Sequence, residues 1–151
     1  SLVTMKRYSA LLLFLVFFAS CAEDDDFGLE STQFVFSDQK WELVQMSGSF
    51  QNSETTGEEM DWQEYYIFNS DATFFKSRDW DNAVKEASGT YAKEVLDGQE
   101  YLELVYSSGE ELIGNCTGEN KEQLFYKKGD VLRGNWGNCD GPILEYKQLK
   151  K

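Results

Sequence analysis

The chain is predicted to be all-β, a small antiparallel barrel of about eight strands carrying one disulfide. Three observations lead there. Short runs enriched in aromatic and β-branched residues recur every ten to fifteen residues or so, and Gly, Asn, Asp and Ser punctuate them. No stretch past the leader carries a convincing helical period. The only proline, Pro142, stands just before the last run, where a strand can begin without a ladder donor.

Taken in order, Phe34-Val35-Phe36 and Trp41-Glu42-Leu43-Val44-Gln45-Met46 come first. Strict alternation in the second puts Trp41, Leu43 and Gln45 on one face and Glu42, Val44 and Met46 on the other, so neither face is wholly apolar. Residues 47–59 are rich in Ser, Thr, Gly, Asn and Glu and read as a long polar loop with room for a short helical turn. Residues 62–68 and 73–79 form the clearest hairpin, joined by Asn69-Ser70-Asp71-Ala72, with Tyr66 and Phe68 on one face. Arg78-Asp79-Trp80-Asp81-Asn82 reads as a polar loop with Trp80 over one barrel end. Its spaced carboxylates also suggest calcium, although a calcium loop needs more oxygen ligands and a turn glycine.

Strands are expected next over residues 89–92 and 101–106, where Leu102, Leu104 and Tyr106 share a face, with Asp97-Gly98 as a hairpin turn between them. Further strands are expected over residues 111–116, 122–126, 131–136 and 143–149. Sequential hairpins favour a closed barrel over a sandwich, because closure leaves no exposed edge.

The first residues carry a different message. Met5-Lys6-Arg7 precedes an apolar run of about ten residues and the small residues Ala19-Ser20, which are the features of a secretory signal peptide. The run falls short of the roughly 20 apolar residues that a spanning helix needs. Ala19-Ser20-Cys21 resembles the lipobox of bacterial lipoprotein precursors, and the resemblance implies an acyl anchor on Cys21. Glu23-Asp24-Asp25-Asp26 is similar to the acidic export signal of Bacteroidetes lipoproteins, which implies display at the outer face of the outer membrane, with a periplasm-facing location as the alternative. The same four carboxylates would also serve as a solvated tether. The expected organisation is a leader over 1–20, a lipidated acidic tether over 21–33 and a barrel domain over 34–151.

Cleavage before Cys21 removes Lys6 and Arg7 and no acid, so the net charge of −13 becomes −15. Such a surface repels nucleic acid and anionic lipid, which leaves the acyl chains as the means of membrane attachment. Cys116 and Cys139 remain as an even pair and are expected to form a disulfide in an oxidising envelope. The chain has no histidine. A nucleophilic cysteine would therefore lack its usual base, and no Cys-x-x-Cys is present to suggest zinc or redox chemistry. Asn115-Cys116-Thr117 matches a glycosylation triplet in form only, since Cys116 is committed to the pair.

Ser88-Gly89-Thr90-Tyr91, Tyr101-Leu102-Glu103-Leu104 and above all Cys139-Asp140-Gly141-Pro142, with Tyr146 after it, resemble the small lipocalin-like lipoproteins of Bacteroidetes over residues 39–151. The resemblance implies fold and anchoring and supplies no catalytic residues. The expected function is a noncatalytic binding module without a cofactor, taking a small apolar ligand or an exported peptide at the barrel mouth. Trp41, Tyr66, Phe68, Phe74, Tyr106 and Trp136 are the candidate aromatics, either as a pocket lining or as core. The alternatives are a protein-facing inhibitor or assembly accessory of the envelope, using residues 47–59 and the acidic surface, and a carboxylate hydrolase using residues such as Glu58, Glu59, Asp61 or Glu64. Cys21→Ala is expected to shift the protein from the membrane fraction to the soluble fraction on cell fractionation, and unchanged membrane retention would contradict the anchor.

Overall fold

Two-residue turns set the topology. Asp81-Asn82 and Asp97-Gly98 all have positive φ, at 52°, 59°, 51° and 80°, the backbone that tight hairpins need to match strand twist. In the computed structural model, which describes residues 38–128 and 130–150, these turns join β3 (Thr73–Trp80) to β4 (Ala83–Leu96) and β4 to β5 (Gln99–Ser108). Ahead of them lie β1 (Gln39–Ser47) and β2 (Gln63–Phe68), and after them β6 (Lys121–Lys127), β7 (Val131–Gly134) and β8 (Ile143–Gln148). Each strand pairs antiparallel with the next, and β8 returns to β1, closing an eight-stranded barrel. The all-β barrel expectation therefore holds. The leader, Cys21, the acidic tether and the Phe34-Val35-Phe36 run lie outside the described residues.

The turn between β2 and β3 is held by its own side chains. Asp71 Oδ1 accepts from the Thr73 backbone N–H at 3.0 Å and from Thr73 Oγ1 at 2.6 Å. These bonds hold the Asp71 carboxyl below its usual range.

β1 departs from strict alternation. Its register against β8 shifts between Leu43 and Gln45, so Val44 is the extra residue of a bulge, and Met46 turns inward with Trp41 and Leu43. The bulge resolves the mixed faces read from the sequence, in which Gln45 shared the side of Trp41. The polar loop after β1 does hold a 3-10 turn, Gly57–Glu59, and is tied back by mutual backbone bonds between Met46 and Thr55 at 2.8 and 3.0 Å.

Several further expectations are corrected. The supposed loop 78–82 is the end of β3 plus its hairpin turn: Asp79 pairs with Val84 and Trp80 with Ala83, and β4 runs for 14 residues rather than over 89–92 alone. Cross-strand pairing overrides the weak β propensity of its Ala, Lys and Glu residues. Trp80 is 55% exposed and packs 5.7 Å, centroid to centroid, from the buried ring of Trp62. Residues 111–116 do not form a strand. Glu110–Leu112 is a 3-10 turn that drives Leu112 into the core, and the chain then runs irregularly to β6. β7 likewise stops at Gly134, before the 3-10 turn Trp136–Cys139.

Cys116 and Cys139 are bonded, as expected. The bridge ties the loop ahead of β6 to the turn ahead of β8 across 23 residues of sequence, a closure worth about 3 kcal/mol. Gly89 allows one close approach in the wall: a Cβ there would lie 1.9 Å from the Val105 carbonyl oxygen and 2.8 Å from the Phe74 ring.

Candidate functional site

Alternation along β2 and β3 sends Glu64, Tyr66 and Phe68 inward opposite Arg78, Lys76 and Phe74, their partners in register. The barrel interior therefore receives charges as well as rings. Lys76 is 0% exposed, with Nζ 3.3 Å from Glu64 Oε1 and 3.2 Å from Glu122 Oε2. It also donates to the Leu112 carbonyl at 2.7 Å. Arg78 Nε donates to Glu64 Oε2, and Arg78 Nη2 reaches the Leu112 carbonyl at 3.4 Å. Glu122, on the inner face of β6, accepts from the hydroxyl of Tyr106 and, at 2.9 Å, from that of Tyr66. Its other oxygen accepts from the Gly114 N–H at 3.3 Å. Tyr146 on β8 donates to Glu64 Oε1 at 2.5 Å.

Two cations thus meet two carboxylates, and each carboxylate takes phenol donors besides. A buried ion costs several kcal/mol unless it is paired and its remaining lone pairs are satisfied, and here they are. The network belongs to β2, β3, β5, β6 and β8 together and fastens the Glu110–Leu112 turn into the barrel end through one carbonyl. Burial, reinforced by Glu122, pushes the Tyr66 and Tyr106 phenols well above 10. Burial and the nearby Glu64 do the same for Tyr146.

Of the candidate aromatics, Trp41, Tyr66, Phe68, Phe74 and Tyr106 are all buried and packed as core. Tyr66 lies 5.6 Å from Phe68 and 5.0 Å from Tyr146, and Phe74 lies 4.9 Å from Tyr106, centroid to centroid. Trp136, on its 3-10 turn, is half-buried and packs against the edge of the same core, with its indole so close over Gly141 that a Cβ there would lie 2.2 Å from the ring. Among the acids read as a possible catalytic set, Glu58, Glu59 and Asp61 are exposed, and Glu64 alone faces inward.

A concave surface lies on the flank of the barrel. Pairing between β1 and β2 ends at Glu42 and Tyr65, although β1 continues to Ser47 and β2 begins two residues earlier at Gln63. Where the strands part there is a cleft of about 290 Å³, walled by Glu42 and Leu43 of β1, residues 63–65 of β2, and Ser77 and Asp79 of β3. Searches of protein-family models, curated proteins and solved structures find no match to the chain.

Sequence reading missed Lys76, Arg78 and Glu122 as interior groups, and Ser77 as part of a cleft. The available signal was parity: Lys76 and Arg78 follow Phe74 at steps of two, and Glu122 precedes Leu124 by two. The phenol environments give a measurable consequence. Tyr66, Tyr106 and Tyr146 hold their protons more tightly folded than unfolded, so their stabilisation is complete below the unfolded value of about 10 and is lost as pH rises above it. Absorbance titration at 295 nm is expected to show these three ionising only as the near-ultraviolet dichroism of the fold disappears. Reversible ionisation of all eight tyrosines near pH 10 with the fold intact would contradict the network.

Proposed function

We propose that the domain is a noncatalytic binding module, held at the cell envelope through acyl chains on Cys21, and that it engages an exported peptide or an envelope protein on its outer surface. The observation that carries this reading is the filled interior. Tyr66, Phe68, Leu102, Leu104, Leu124, Leu132 and Tyr146 are each 0% exposed, and paired charges occupy the space between them. An eight-stranded barrel has room for a packed interior or one small ligand, and the packed interior favours recognition from outside.

The charges also support a noncatalytic role. Glycoside hydrolysis needs one carboxyl protonated and a second ionised and reactive. Glu64 and Glu122 instead both neutralise Lys76, and Glu64 neutralises Arg78 as well. Outside the barrel, Trp80, Val84, Val95 and Leu96 stay exposed at the β3–β4 and β4–β5 hairpins, which supports a protein-facing surface.

The full chain in detergent micelles, titrated with a fatty acid, haem, soluble glycans and a panel of extended peptides, tests the reading by tryptophan fluorescence and calorimetry. Saturable binding is expected from peptides only. Stoichiometric binding of the fatty acid or haem, or failure of every peptide to bind, would overturn it.

A further inference from the structure

The cleft between β1 and β2 combines three features that the rest of the barrel wall does not explain. The first is an open ladder. β1 loses β2 after Glu42 and next meets a partner on the loop side at Met46, which bridges to Thr55. Leu43 and Gln45 therefore pair with β8 on one side, with Val44 bulging between them, and none of the three pairs with β2 on the other. Such an edge takes an added extended chain by main-chain hydrogen bonds.

The second feature is Ser77. It is 7% exposed yet lines the cleft, and among the described residues no side-chain hydrogen bond reaches its hydroxyl. The hydroxyl is open to solvent in the cleft, where an incoming donor can reach it. The third is charge. Asp79, on the same face of β3, is exposed and forms no ion pair among the described residues, and Glu42 stands on the opposite wall bonded only to Lys40. No Lys or Arg lines the cleft, and the whole chain carries −13. At about 290 Å³ the space lies at or below the lower limit of roughly 300–1,000 Å³ for small-molecule pockets and suits one long side chain.

We propose that this cleft receives an extended segment of a partner polypeptide, which adds alongside residues 43–45 of β1 and lays a lysine or arginine side chain against Ser77 and Asp79, Glu42 being already paired with Lys40. The inference rests on the reading of the domain as a peptide- or protein-binding module and assigns that module its site and its specificity. The ammonium or guanidinium donates to the Ser77 hydroxyl and pairs with Asp79. Glu64 at the floor is already neutralised by Lys76 and Arg78, so it shapes the cleft without holding the ligand.

The test uses the full chain in detergent and two capped pentapeptides, Thr-Val-Lys-Val-Thr and its counterpart with norleucine in place of lysine, measured by calorimetry at low salt. The lysine peptide is expected to bind at least about tenfold more tightly than the norleucine peptide. Asp79→Asn is expected to weaken the lysine peptide by about tenfold. Glu119→Gln, which removes an exposed charge from the loop ahead of β6, is expected to leave binding unchanged. Equal affinity for the two peptides, no effect of Asp79→Asn, an equal loss with Glu119→Gln, or no binding of the lysine peptide would each overturn the assignment. Other peptides that still bind would in that case leave the binding-module reading standing and move its site elsewhere.

Discussion

The Lys76 ammonium is the group on which this barrel depends. It sits among Glu64, Glu122 and the Leu112 carbonyl with no access to water, so its three donors are committed to partners from β2, β6 and the turn after β5. Remove the ammonium and two carboxylates face each other across a dry interior with Arg78 as the remaining cation. An apolar core would tolerate a missing contact more readily, because it leaves no unpaired charge behind.

Several otherwise separate features follow from that arrangement. Tyr66, Tyr106 and Tyr146 carry their rings into the aromatic core and their hydroxyls onto the carboxylates, so each serves packing and charge solvation together. The Glu110–Leu112 turn enters the barrel end because its carbonyl is wanted by Lys76 and Arg78 and because the Leu112 side chain is buried there. The disulfide then holds the chain just beyond that turn, at Cys116, against the turn that leads into β8. With the interior occupied in this way, the accessible chemistry moves to the wall, where β1 and β2 part.

Much of the fold was legible because turns and alternation are local properties. Asp97-Gly98 announces its hairpin by composition, and Leu102, Leu104 and Tyr106 announce their face by spacing. The bulge at Val44 was not legible, since it depends on how β8 pairs with β1 from a hundred residues away. Residues 111–116 looked like a strand because Leu112 and Ile113 are apolar, but Leu112 is buried by a turn whose carbonyl answers to Lys76. The interior charges were the largest omission. Lys, Arg and Glu are almost never fully buried unless paired, and their pairing is made by contacts 12 to 46 residues apart in sequence that no local pattern encodes. The cleft was hidden for the same reason, because Ser77 lies on the outward parity of β3 and becomes buried only through its neighbours.

The central claim is that paired charges and phenols fill the barrel and make its closure depend on Lys76. Urea unfolding of Lys76→Met against the unsubstituted chain tests it most directly, since methionine keeps much of the side-chain volume and removes only the charge and donors. The account predicts a loss of about 3 to 5 kcal/mol. A loss below about 1 kcal/mol, the scale of an exposed ion pair, would contradict it.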